Sequence, residues 1–69
     1  MDQFLIEECG TGVFSHKEKR RRSVWCGPGE AYAFGLAESV SKTPSAVWVE
    51  CVQVMVLKDD GTKRVVMEY

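Results

Sequence analysis

Ser45-Ala46-Val47-Trp48-Val49-Glu50-Cys51-Val52-Gln53-Val54-Met55-Val56-Leu57, running into Lys58-Asp59-Asp60-Gly61-Thr62, is the stretch on which the fold turns. β-Branched and aromatic side chains crowd its first thirteen residues, which predicts a strand. Alternation puts Ala46, Trp48, Val52, Val54 and Val56 on one side and Val47, Val49, Cys51, Met55 and Leu57 on the other. Both faces are apolar, so the strand implies burial on two sides or cover from a partner. The acidic segment after it reads as a tight hairpin turn with Gly61 left-handed. A two-residue loop would set Lys58 opposite Lys63, a like-charge pair, whereas a three-residue loop pairs Lys58 with Thr62. The three-residue loop is preferred, with Lys63 to Tyr69 returning as the last strand.

Upstream of this hairpin, Ala33, Leu36, Ala37 and Val40 recur at helical spacing between Glu30 and Lys42. Gly27-Pro28-Gly29 precedes the segment, where proline suits a helix start, and Thr43-Pro44 stops it. Glu30 and Lys42 sit at the ends of the dipole that favour their charges. Gly35 and the alanines thin the helix for close packing on a sheet, although a glycine in a helix interior costs about 1 kcal/mol against alanine.

Phe4, Leu5 and Ile6 open the first strand, and Gly10-Thr11-Gly12 marks a turn or a bulge where a Cβ does not fit. Two readings follow. The strand runs on through Val13 and Phe14, with Ser15 to Glu18 as a hairpin tip and Arg20 to Cys26 returning, Val24 and Cys26 on one face and Trp25 on the other. Otherwise it ends near Cys9 and the next ten residues form an irregular loop. Either way the order is strand, strand, helix, strand, strand. One α+β domain over residues 1–69 satisfies it, an antiparallel four-stranded sheet in ββαββ order with one helix packed on one face.

Sixty-nine residues leave no room for a two-domain enzyme, and so small a core commonly leans on disulfides, metal or association. Cys9, Cys26 and Cys51 are an odd number without zinc or redox spacing, so a complete disulfide framework is excluded and packed free thiols are expected. Met1 to Glu8 lack the basic start and apolar core of a secretory signal, and no apolar run nears the roughly 18 residues that span a bilayer. A cytoplasmic protein without membrane contact is expected. A homodimer, joined through the second sheet face or an edge strand, is the natural answer to the apolar second face.

Chemistry-bearing residues are sparse. His16 is the sole histidine and sits in a polar tip without an acid placed to orient it. Asp59 and Asp60 read as turn formers rather than metal ligands. Gly27-Pro28-Gly29 lacks the phosphate-loop pattern and its lysine. These residues predict no enzyme, no cofactor, no metal and no small-molecule substrate.

His16-Lys17-Glu18-Lys19-Arg20-Arg21-Arg22 differs in kind. Five cations and one carboxylate give it a local +4, while four cations and nine carboxylates give the rest −5, which is how the chain reaches a net −1. On an extended backbone Arg20 and Arg22 share one face and Arg21 takes the other. Such a run is either a solvated loop or an electrostatic footprint for phosphate or carboxylate. Five phosphate contacts on nucleic acid predict a slope of log affinity on log salt near ~−4. On an acidic protein groove Trp25 and Arg22 are the expected anchors, since tryptophan and arginine dominate interface hot spots. Trp48 reads as core.

The arrangement resembles small phage-encoded hairpin-helix-hairpin proteins, among them some type I-F anti-CRISPR proteins. The likeness lies in Phe4-Leu5-Ile6-Glu7, the alanine-containing helix from Ala31 to Val40, and the closing hairpin Leu57-Lys58-Asp59-Asp60-Gly61-Thr62-Lys63-Arg64-Val65-Val66. It implies a non-catalytic inhibitor that occupies a nucleic-acid path on a host protein complex with its lysines and arginines. Lys17, Lys19, Arg20, Arg21 and Arg22 would be the counterpart here, with Lys63 and Arg64 as a second patch.

Overall fold

The computed structural model describes residues 2–69. Strand β1 (Gln3–Thr11) pairs antiparallel with β2 (Lys19–Gly27) on one side and β3 (Val49–Leu57) on the other, and β4 (Lys63–Glu68) closes the order β2-β1-β3-β4. Helix α1 (Glu30–Lys42) connects the two hairpins and lies across β1 and β3. The expected ββαββ order and antiparallel sheet are what the chain forms.

The helix keeps its predicted bounds because its stop signals are local. Thr43 donates its backbone N–H to the Val40 carbonyl and its hydroxyl to that of Ser39, and Pro44 follows with no N–H to continue the ladder. At the other end Gly29, at φ 105°, turns the chain in ahead of Glu30. Ala33 and Ala37 are fully buried, and their small side chains let α1 settle on Ile6, Val52 and Val54 to form the core. Phe4, Trp25, Phe34, Leu36, Val40 and Val66 pack round its rim. Gly35, expected to thin the packing face, is exposed with open space round it, so the close approach belongs to the alanines alone.

β3 begins at Val49, four residues later than Ser45, and Thr43 to Trp48 form an irregular turn. Gly10 explains the crossing. A Cβ there would fall on the Trp48 carbonyl oxygen, so the turn passes over β1 only because the position has no side chain. The register shifts at the same point, from Cys9 opposite Cys51 to Gly10 opposite Val49, which makes this the predicted bulge. β1 itself ends at Thr11, between the two readings of the first hairpin, and residues 12–18 form the connecting loop.

The second hairpin follows its predicted turn. Lys58 donates its N–H to Thr62, Gly61 (φ 88°) donates to Lys58, and residues 59–61 make the three-residue loop. Both edge strands carry a bulge, at Val24 in β2 and at Val66 in β4.

On the face away from the helix, Leu5 and Met55 are only 8% and 6% exposed although no second layer covers them. A polar row crosses that face. Arg21 Nη1 donates to Glu7 Oε1 and Gln53 Oε1, both at 3.2 Å, and Gln53 Nε2 donates to Glu68 Oε2 at 2.9 Å. All four strands contribute to it. Of the three thiols expected to pack, Cys9 is buried and Cys51 half-buried, but Cys26 is exposed, facing Leu5 from an edge strand that nothing flanks. No helix among the described residues is long and apolar enough to cross a membrane.

Candidate functional site

The basic run folds as loop and edge strand together. Lys17 lies in the loop, and β2 sets Lys19 opposite Thr11, Arg20 opposite Gly10, Arg21 opposite Cys9 and Arg22 opposite Glu8. Pleating sends Arg20 and Arg22 to the helix side and Lys19 and Arg21 to the open side, as alternation predicts. Each arginine then meets a carboxylate of its own chain. Arg20 Nε donates to Glu18 Oε1 at 3.1 Å, Arg21 joins the polar row through Glu7, and Arg22 donates to Glu8. Three of the five cations are thereby balanced by Glu18, Glu7 and Glu8, leaving Lys17 and Lys19 without a partner among the described residues. The effective local excess is two charges.

Arg22 is the most deeply engaged. Its Nε and Nη2 both donate to Glu8 Oε1, at 3.2 and 3.0 Å, and its guanidinium carbon lies 5.5 Å from the centre of the Trp48 ring. Glu8 is 2% exposed and accepts two more bonds, from the Ser45 hydroxyl at 2.6 Å and the Ser45 N–H at 3.2 Å. Burial pushes its pKa up, but the two Ser45 bonds and the Arg22 guanidinium together hold it below the ordinary carboxylate value. One buried carboxylate thus ties β2, β1 and the turn before β3.

That turn and the 12–18 loop emerge at the same end of the sheet, because β3 starts where β1 stops. The loop is closed by Gly12 N–H to the Glu18 carbonyl at 2.7 Å and Glu18 N–H to the Ser15 carbonyl at 3.2 Å. Within it Phe14 is fully exposed and Val13 half-exposed, and Val47 stands out of the neighbouring turn. Two unpaired lysines and a bare phenyl ring therefore share one end of the molecule.

The other residues singled out in the sequence lie elsewhere. Trp25 is half-buried, opposite Ile6, with its ring centre 5.1 Å from that of Tyr32, so it serves the core rim. Lys63 lies opposite Leu57, itself opposite Gln3, about 26 Å along β1 from Thr11 and on the far edge of the sheet. Lys63 and Arg64 stand beside the acidic 59–61 turn and form no continuous patch with Lys17 and Lys19. His16 is exposed in the loop without a hydrogen bond to any thiol or carboxylate among the described residues. Phe14 and Val47 escaped the sequence reading. The usable signal was Val13-Phe14 standing alone between Gly12 and Ser15-His16-Lys17, with no apolar periodicity to carry it into a core. Comparison with family models, with curated proteins and with solved structures gives no match for this chain.

Proposed function

We propose that the chain is a non-catalytic binding protein, of phage or mobile-element type, whose loop end engages single-stranded nucleic acid, free or lying in the path of a host protein complex. The observation that carries this reading is Phe14, fully exposed in a loop that also holds Lys17 and leads into Lys19. Aromatic rings stack on unpaired bases with a contribution of about 1–3 kcal/mol per base, while neighbouring lysines follow the phosphates. Duplex bases are already stacked and offer Phe14 no such face. The resemblance to phage-encoded hairpin-helix-hairpin proteins points to the same class of partner. Fluorescence anisotropy with a labelled oligonucleotide, single-stranded and as duplex, tests the proposal. Tighter binding of the single strand, weakened about tenfold by Phe14→Ala, is expected from one lost stacking contact. Equal affinity for both forms, or none for either, overturns it.

A homodimer is the second reading, favoured by Val65, exposed on a sheet face with no second layer. The bulged edges and the polar row from Arg21 to Glu68 rank it lower, since both oppose dry pairing of sheets. Light scattering at micromolar concentration separates the two, and a monomer removes the dimer.

A further inference from the structure

We propose that Cys9 and Cys51 are a thiol pair that reacts with a low-molecular-weight disulfide of the glutathione type and closes into a cross-strand disulfide. The pair adjoins the loop end, with Lys19 on the rim of its pocket, but its chemistry does not depend on nucleic-acid binding. Cys9 and Cys51 are directly opposed in the register of β1 and β3, on the face that the helix leaves open. Opposed residues of an antiparallel pair have Cα atoms about 4.5 or 5.5 Å apart, and both values fall in the range of about 4.4–6.8 Å that a disulfide spans. The opposed positions are therefore within the backbone reach of a disulfide. Cys26 is no competitor: it lies opposite Leu5, about 13 Å along β1 from Cys9.

Access limits the reagent. The two thiols border an open pocket of about 240 Å³ whose rim includes Thr11, Lys19, Arg21 and Glu50. Arg21 Nη1 lies 3.8 Å from Cys9 Sγ. Arg21 is already paired with Glu7, and Lys19 shares the rim with the Glu50 carboxylate, so the rim carries no excess charge and admits a reagent by size. Cys51, half-buried, is the sulfur the pocket presents, whereas Cys9 is only 8% exposed.

The order of events follows. The Cys51 thiolate attacks one sulfur of the reagent, the reagent's S–S bond breaks, and its other half leaves as a thiolate that takes up a proton. Cys9 then gives its proton to solvent, and its sulfur attacks Cys51 Sγ in the mixed disulfide, displacing the second half as a thiol. In all, two protons and two electrons pass to the reagent, which is reduced to two thiols. Burial and then the facing Cys51 thiol push Cys9 up to about 11. In the mixed disulfide Cys51 has no thiol, so the second of these influences disappears, while Arg21 favours the Cys9 thiolate and Glu7 opposes it.

The test uses the full chain and a Cys26→Ser variant, incubated with oxidised glutathione and read by intact mass and thermal melting. The expected product is a monomer lighter by two hydrogens, melting higher by about 15 °C or more, and restored by dithiothreitol. In the wild-type chain, mapping without reduction should link the peptides that carry Cys9 and Cys51. Cys9→Ser in the Cys26→Ser background should stop at a stable glutathione adduct on Cys51. A persistent adduct with both thiols present, a disulfide-linked dimer, or unmodified thiols overturns the proposal.

Discussion

Arg22 reaches across from β2 to place two guanidinium donors, at 3.2 and 3.0 Å, on one oxygen of Glu8, which is nearly sealed from solvent. The finding changes the meaning of the basic run. An arginine that composition presents as a recruiter is a strut, held on its other side by the Trp48 ring.

Arg22→Ala should accordingly cost stability, whereas replacing Lys17 or Lys19 should not. Hydrogen bonds to a charged group contribute about 1.5–3 kcal/mol, and half of the Arg22 side chain remains in water, so the lower value applies. A thermal melt should fall by about 10 °C for Arg22→Ala and stay within about 2 °C of the parent for Lys17→Ala. Equal melts would show that the Glu8 pairing is incidental.

Glu8 also predicts an acid limit. Its folded pKa lies below its unfolded value near ~4.3, so its contribution to stability is present above that value and is lost as pH falls through the folded pKa. Glu8→Gln should lower the melting temperature at pH 7 and flatten its fall between about pH 5 and pH 3. Parallel pH profiles for variant and parent would contradict the assignment.

Two glycines should respond in opposite directions to alanine. Gly10→Ala drives a methyl group into the Trp48 carbonyl and should remove about 3 kcal/mol or more, a large part of the stability of a domain this size. Gly35→Ala meets nothing within 4 Å and should gain about 0.5–1 kcal/mol by favouring the helix. Urea titration of both variants checks the pair, and a tolerated Gly10→Ala would mean that the turn does not cross where the structure puts it.

The contrast shows which parts of the fold sequence reasoning reaches. Helix α1 and the 59–61 turn are legible because caps, proline and turn residues act within a few positions of one another. The start of β3 is not, since Ser45 to Trp48 are strand-like by composition and are held out of the sheet by contacts with Glu8 and Gly10, over thirty residues away. The same limit governs the site. Alternation correctly divides Arg20 and Arg22 from Arg21, but the carboxylates that meet Arg21 and Arg22 follow from the β1–β2 register, which no local signal sets. Phe14 is the converse case, an apolar residue that the core never claims.

The most direct measurement is the salt dependence of single-strand affinity for the parent chain, for Lys17→Ala/Lys19→Ala and for Arg22→Ala, with melting curves alongside. If Lys17 and Lys19 are joined by Arg20, whose solvent-exposed pairing with Glu18 is weak enough to exchange for phosphate, three contacts give a slope of log affinity on log salt near ~−2, against ~−3.5 for five free cations on a single strand. The double lysine variant should bring the slope close to about −0.7 with an unchanged melt, and Arg22→Ala should leave the slope alone while lowering the melt. A slope near ~−3.5 in the parent, or a slope that falls with Arg22 and not with the lysines, would contradict the account.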